Sequence, residues 1–354
     1  MPDTWSEPAA SCRARLRAIP ESASFGACRA IVASALIAAA VALPLHAEHA
    51  QGAVARPAGI PDDVTERLRH LDCARVTGDD VRDVLRKVPA PRIMLLQGSV
   101  PIVTMEPFAR FLIDMGYPEE RLRNPHDGGF SNVSFADSER IAGVLAFDYE
   151  RTAEAPMLIG HSQGGALAIR VLHELAGAFH ESVPLVDPES DETLPRTTIV
   201  DPYSGEPRPV VGGLRLSFVA ALATGWLPRL LLGQWSMLSR LRTIPDTVDE
   251  FAGFDLPHDA IAGHLFPPSP YASAGSARVR TRVLPAAYSH VDLPAVDHLA
   301  REPAIRAWID GWTPEIAPPL PAGDTRNIVH AVDIWHSVKE HWCAQAQRLL
   351  RPDR

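Results

Sequence analysis

Residues 160–165 read Gly-His-Ser-Gln-Gly-Gly and follow the apolar run Pro156-Met157-Leu158-Ile159. A serine fenced by glycines behind an apolar strand is either an ordinary tight turn or a hydroxyl held on a strained bend, ready to attack an acyl carbon. The second reading makes demands on residue type. The bend imposes backbone angles that are costly for a residue with a side chain, and Ser162 would bear them. Side chains two positions before and after it would collide as strand and helix approach, so Gly160 and Gly164 must lack a Cβ. Gly165 and Ala166 let a helix start close to the sheet. That helix's first N–H groups and the positive end of its dipole would face the hydroxyl, where negative charge develops in acyl transfer.

The elements needed to hold such a turn alternate along the chain. Arg92–Leu96 is a short apolar run closed by Gly98, as in a buried parallel strand. Pro107–Met115 puts Phe108, Phe111, Leu112 and Met115 on one helical face, with Gly116 beyond its end. Arg121–Asn124 reads as a short strand, Ser138–Arg151 as a helix, Met157–Ile159 as a strand and Gly164–Leu175 as a helix. Thr197–Val211 has two β-rich runs around Tyr203-Ser204-Gly205, an inserted hairpin within residues 196–212. Leu214–Leu222 resumes the sheet. The expected fold class is α/β, a mostly parallel sheet with helices on both faces.

With the elbow in that context, residues from about 90 to 312 resemble the α/β-hydrolase superfamily, in its lipase and esterase branch. The resemblance is specific at Gly160–Gly165 and looser elsewhere. It implies the chain order serine, acid, histidine, and a second oxyanion donor on the loop after Arg92–Leu96. Many relatives carry His-Gly in that loop, whereas this chain has Gln97-Gly98-Ser99. The implied donors are the N–H groups of Gln163 and Ser99. The implied histidine follows the last strand, Arg278–Leu284, and precedes a helix carrying Ile305, Trp308 and Ile309. His290 meets that description, with His298, His264 and His330 as alternatives. The acid should follow a strand between Ser162 and His290. Phe251–Phe254 is such a strand, and Asp259-Ala260-Ile261-Ala262-Gly263 resembles the family's acid loop. Asp259 comes first, then Asp255, then Asp246 and Asp249; any of these could instead be a cap or a solvated charge.

A cap or lid usually enters this family before the acid. Here Leu227, Leu231, Trp235, Leu238 and Leu241 recur at spacings of four and three, one apolar stripe. It is either a helical cap over 225–250 or a helix packed on the sheet.

The resulting expectation is a serine hydrolase that cleaves small-molecule carboxylic esters, lipid-like ones included, through an acyl-enzyme. It needs no metal or organic cofactor. Thioesterase, amidase and acyltransferase chemistry uses the same groups, and a hydrolase fold with a vestigial serine would only bind. The net charge of −9 over 354 residues argues against nucleic acid; only two lysines occur, Lys87 and Lys339, so arginine carries nearly all the positive charge. His330, His336 and His341 do not share a helix face, and no acid cluster joins them, so they read as packing or surface histidines.

Residues 1–55 have the pattern of an export leader: Arg13, Arg15, Arg17 and Arg29, then an uncharged apolar run from Ala30 to Leu43, then small residues up to Ala55. The run is shorter than the roughly 20 residues of a membrane span. An uncleaved anchor is the alternative, and leader or cap would give any membrane contact. Export would remove Cys12 and Cys28 and leave Cys73 and Cys343 to pair in an oxidising compartment. Residues 56–89 and 314–354 read as helical extensions flanking a core over 90–313.

Overall fold

The computed structural model describes residues 59–351 apart from 228, 229, 231–233, 267, 316 and 317. The leader, and with it the choice between cleaved signal and anchor, lies outside the described residues. Among those described, no helix is long and apolar enough to cross a membrane.

Nine strands occur among the described residues, in chain order: β1 (Ile93–Leu96), β2 (Met157–His161), β3 (Thr198–Val200), β4 (Pro207–Pro209), β5 (Leu216–Leu222), β6 (Thr243–Ile244), β7 (Val248–Asp255), β8 (Ala272–Ser273) and β9 (Arg278–Val283). Five of them form one parallel sheet in the order β1-β2-β5-β7-β9. Every residue of β2 and β5 is buried, which explains why these strands read as unbroken apolar runs rather than alternating ones. Successive residues serve opposite faces. Met157, Ile159, Phe218 and Ala220 join one core with the helix Glu106–Met115 and the long helix Ile328–Leu349. Leu158, Val219 and Ala221 join another with the helices Ser138–Thr152 and Gln163–Leu175. The inserted hairpin is present, with β3 and β4 antiparallel.

Two expectations are corrected. Arg121–Asn124 is not a strand: Glu119–Arg121 is a 3-10 turn and Leu122 has helical angles. The side chains bend it back, Arg121 Nε donating to the Ala90 carbonyl at 2.6 Å and Arg123 Nη1 to the Gly128 carbonyl at 2.5 Å. Asn132 takes the place beside β1, its N–H donating to the Leu95 carbonyl at 2.8 Å.

Of the apolar stripe expected over 225–250, Leu227 is helical, but Trp235, Leu238 and Leu241 do not share one helical face. Trp235–Met237 is a 3-10 turn, Trp235 and Leu238 are 63% and 37% exposed, and Leu241 is buried. The chain has to re-enter the sheet, so β6 pairs with β8 and residues 248–250 already belong to β7. Leu231 lies outside the described residues.

The segments flanking the sheet on either side in sequence pack into its core. Val64, Leu68, Val81, Leu85, Trp335 and Trp342 are buried in the same core as Ile93 and Leu95. Cys73 and Cys343 form a disulfide there, with Cα atoms 5.4 Å apart.

Glu154, just before β2, is 2% exposed, with Arg121 Nη2 3.6 Å from its Oε2. On β9, an edge strand, Arg280 and Arg282 bind Asp333 at 2.7 and 2.9 Å, and Arg278 binds Glu250 and Glu340 at 2.8 and 2.9 Å.

Candidate active site

Ser162 sits between β2 and the helix Gln163–Leu175 with φ 54° and ψ −116°. Such angles cost a non-glycine residue about 1–3 kcal/mol and persist only where the surroundings impose them. The surroundings here are backbone. A Cβ on Gly160 would lie 2.4 Å from the Gly164 carbonyl oxygen, and one on Gly164 would lie 2.1 Å from that of Leu96. The two glycines let the helix lie against the β1 and β2 ends, and the bend presents the Ser162 hydroxyl above the sheet's carboxyl edge.

His290 opens a 3-10 turn in the loop after β9. Its Nε2 is 2.9 Å from Ser162 Oγ, and its Nδ1 is 2.7 Å from Asp259 Oδ2. Asp259 lies in the loop after β7, where its Oδ1 also accepts from the Ala262 N–H at 2.9 Å. Burial works to raise the Asp259 carboxyl, but the bonds from His290 and Ala262 outweigh it and hold the group below its ordinary range. Ser162 and His290 are each 8% exposed and Asp259 3%, so water is largely kept from the line of three groups.

The other acids and histidines have different partners. Asp255, at the end of β7, forms a two-point ion pair with Arg242 at 2.9 and 3.0 Å. Asp246 and Asp249 bind Arg215 at the opposite end of that strand. His298 lies 3.8 Å from Asp324, the His264 ring lies 3.4 Å from the Thr224 carbonyl, and buried His330 bonds the Leu293 carbonyl at 2.8 Å.

Gln163 is the first residue of the helix and Ser99 follows β1. Among the described residues, neither backbone N–H has a hydrogen-bond acceptor. The Gln97–Ser99 loop lies against the elbow: a Cβ on Gly98 would be 3.3 Å from Ser162 Cβ. Residues unremarked in sequence brace this loop. Ser131 Oγ donates to Gln97 Oε1 at 2.7 Å, the Gln97 N–H to the Asn132 carbonyl at 3.0 Å, and Ser134 Oγ to the Gly98 carbonyl at 3.2 Å. Only the turn residues Gly128-Gly129 hinted that the chain doubles back there.

Around this line the loops are apolar and exposed: Val100 and Ile102 after β1, Trp226 after β5, Leu265 and Phe266 after β7, Val291 after β9. No charged residue occurs between Gly98 and Met105. A cavity of about 290 Å³ borders Asp259 and His290, lined also by His258, Ile261, Tyr288 and Ser289. No protein-family model, curated protein or solved structure matches the chain.

Proposed function

We propose that the chain is a serine hydrolase of the α/β-hydrolase type that cleaves carboxylic esters. The observation that carries this reading is the hydrogen-bonded line from Ser162 Oγ through His290 to Asp259, at 2.9 and 2.7 Å, on a bend at a helix N-terminus. In the proposed reaction His290 Nε2 takes the proton as Ser162 Oγ bonds to the ester carbonyl carbon. The Gln163 and Ser99 amides would receive the oxyanion, each such donor typically being worth about 2.7–4 kcal/mol. The carbon–alkoxy bond then breaks and His290 returns the proton to the departing alcohol. Water, deprotonated by the same ring, releases the acid and restores the serine. Asp259 holds the Nδ1 proton and faces the imidazolium that forms.

The exposed apolar residues of the surrounding loops support an ester with an apolar acyl or aryl part. The Cys73–Cys343 disulfide supports work in an oxidising compartment outside the cytoplasm. A fluorophosphonate probe tests the reading. It should label the folded protein at Ser162, and Ser162→Ala should abolish both labelling and hydrolysis of 4-nitrophenyl esters. Folded protein that takes no label, or a Ser162→Ala variant that hydrolyses as before, would overturn it.

A further inference from the structure

We propose that His161 is a positioning residue that anchors the catalytic base to the strand carrying the nucleophile; this rests on the hydrolase reading above. The need for an anchor follows from the sheet. Ser162 comes from the end of β2 and His290 from the loop after β9, with β5 and β7 between them. That is three strand spacings, roughly 14 Å. The loop bearing His290 has to cross back over the sheet, and a base displaced by one ångström loses much of its effect.

His161, the last residue of β2, is 2% exposed, and its Nε2 lies 2.8 Å from the His290 carbonyl oxygen. A carbonyl only accepts, so the His161 proton is on Nε2 and Nδ1 carries a lone pair. Nδ1 is buried with no hydrogen-bond partner. Adjacent residues of the elbow therefore hold His290 at two points, Ser162 at the ring and His161 at the main chain. The ring also underlies the oxyanion loop, since a Cβ on Gly98 would stand 3.2 Å from its Nδ1. Burial pushes the His161 imidazole down to about 3, so it stays neutral. The ring centroids of His161 and His290 are 5.1 Å apart, and a charge on His161 would oppose the imidazolium formed during reaction.

The test compares three variants of the full chain on a 4-nitrophenyl ester, with melting temperatures measured alongside. His161→Leu fills the site without a donor, His161→Asn is polar but too short, and His161→Gln reaches with an amide N–H. His161→Leu and His161→Asn should lower kcat about tenfold or more with KM within twofold, whereas His161→Gln should recover kcat to within threefold. If His161→Leu does not fold, the asparagine and glutamine pair carries the comparison. In the wild-type protein the His161 Nε2 proton should also be visible by NMR, protected from exchange and unchanged from pH 5 to 9. Equal kcat in all folded variants, or an exchanging and titrating ring, overturns the inference. A wild-type protein that neither turns over the ester nor takes the fluorophosphonate overturns the hydrolase reading instead.

Discussion

Asp259→Asn is a change of one atom with a consequence set by its neighbours. Asp259 Oδ1 accepts from the Ala262 amide at 2.9 Å, so an asparagine keeps its carbonyl oxygen there and turns its NH2 toward His290 Nδ1. An NH2 group donates, so Nδ1 would have to accept. The ring proton then moves to Nε2, the atom 2.9 Å from Ser162 Oγ that receives the serine proton in the proposed reaction. The base is present in the wrong tautomer, a fault that costs about 10⁴-fold in kcat, ~5.4 kcal/mol. Asp255→Asn supplies the contrast. It breaks a buried ion pair with Arg242, so it should destabilise by about 3–5 kcal/mol and leave kcat within severalfold. Initial rates on a 4-nitrophenyl ester and thermal melts separate the two. More than a tenth of wild-type kcat in Asp259→Asn, or loss of activity in Asp255→Asn at an unchanged melting temperature, refutes these assignments.

Two further predictions concern stability. The disulfide closes a loop of 270 residues, so Cys73→Ser with Cys343→Ser should lower the unfolding free energy by about 5 kcal/mol while sparing ester turnover; a urea midpoint that does not move refutes this. Burial pushes the Glu154 carboxyl up to about 8 from the ordinary 4.5, against the pull of Arg121. The folded protein thus holds a proton that the unfolded chain releases, and stability falls as pH rises from about 4.5 to about 8, by ~4 kcal/mol between pH 5 and 8. Glu154→Gln should flatten that decline in urea titrations at the two pH values, and parallel profiles would count against it.

Features with local causes were legible in the sequence. The elbow announces itself because the close approach of helix and strand is met by glycines at fixed offsets from Ser162. The buried strands announce themselves through Met157–Ile159 and Leu216–Leu222, where both faces are covered. What depends on distant partners was not legible. Nothing near Arg121–Asn124 shows that Arg121 is drawn to the Ala90 carbonyl or that Asn132 takes the strand position. The spacing that joins Leu227, Trp235 and Leu238 into one stripe does not show that the chain turns at Trp235–Met237 on its way back toward β7. His161 passes for an elbow filler, since its partner lies 129 residues away. The terminal helices read as extensions because Trp335 and Trp342 do not reveal that they cover the face of the sheet.

The arginines of β9 bear on how this molecule meets its own copies. A parallel sheet ending in a bare, flat strand would template a strand from a neighbour, the first step toward aggregation. Here a newcomer would meet guanidinium groups already committed to Glu250, Asp333 and Glu340. Joining would mean stripping water from those charges and tearing them from their counterions. Among the described residues β9 is the last strand of the sheet, and its paired arginines would resist the addition of a further one.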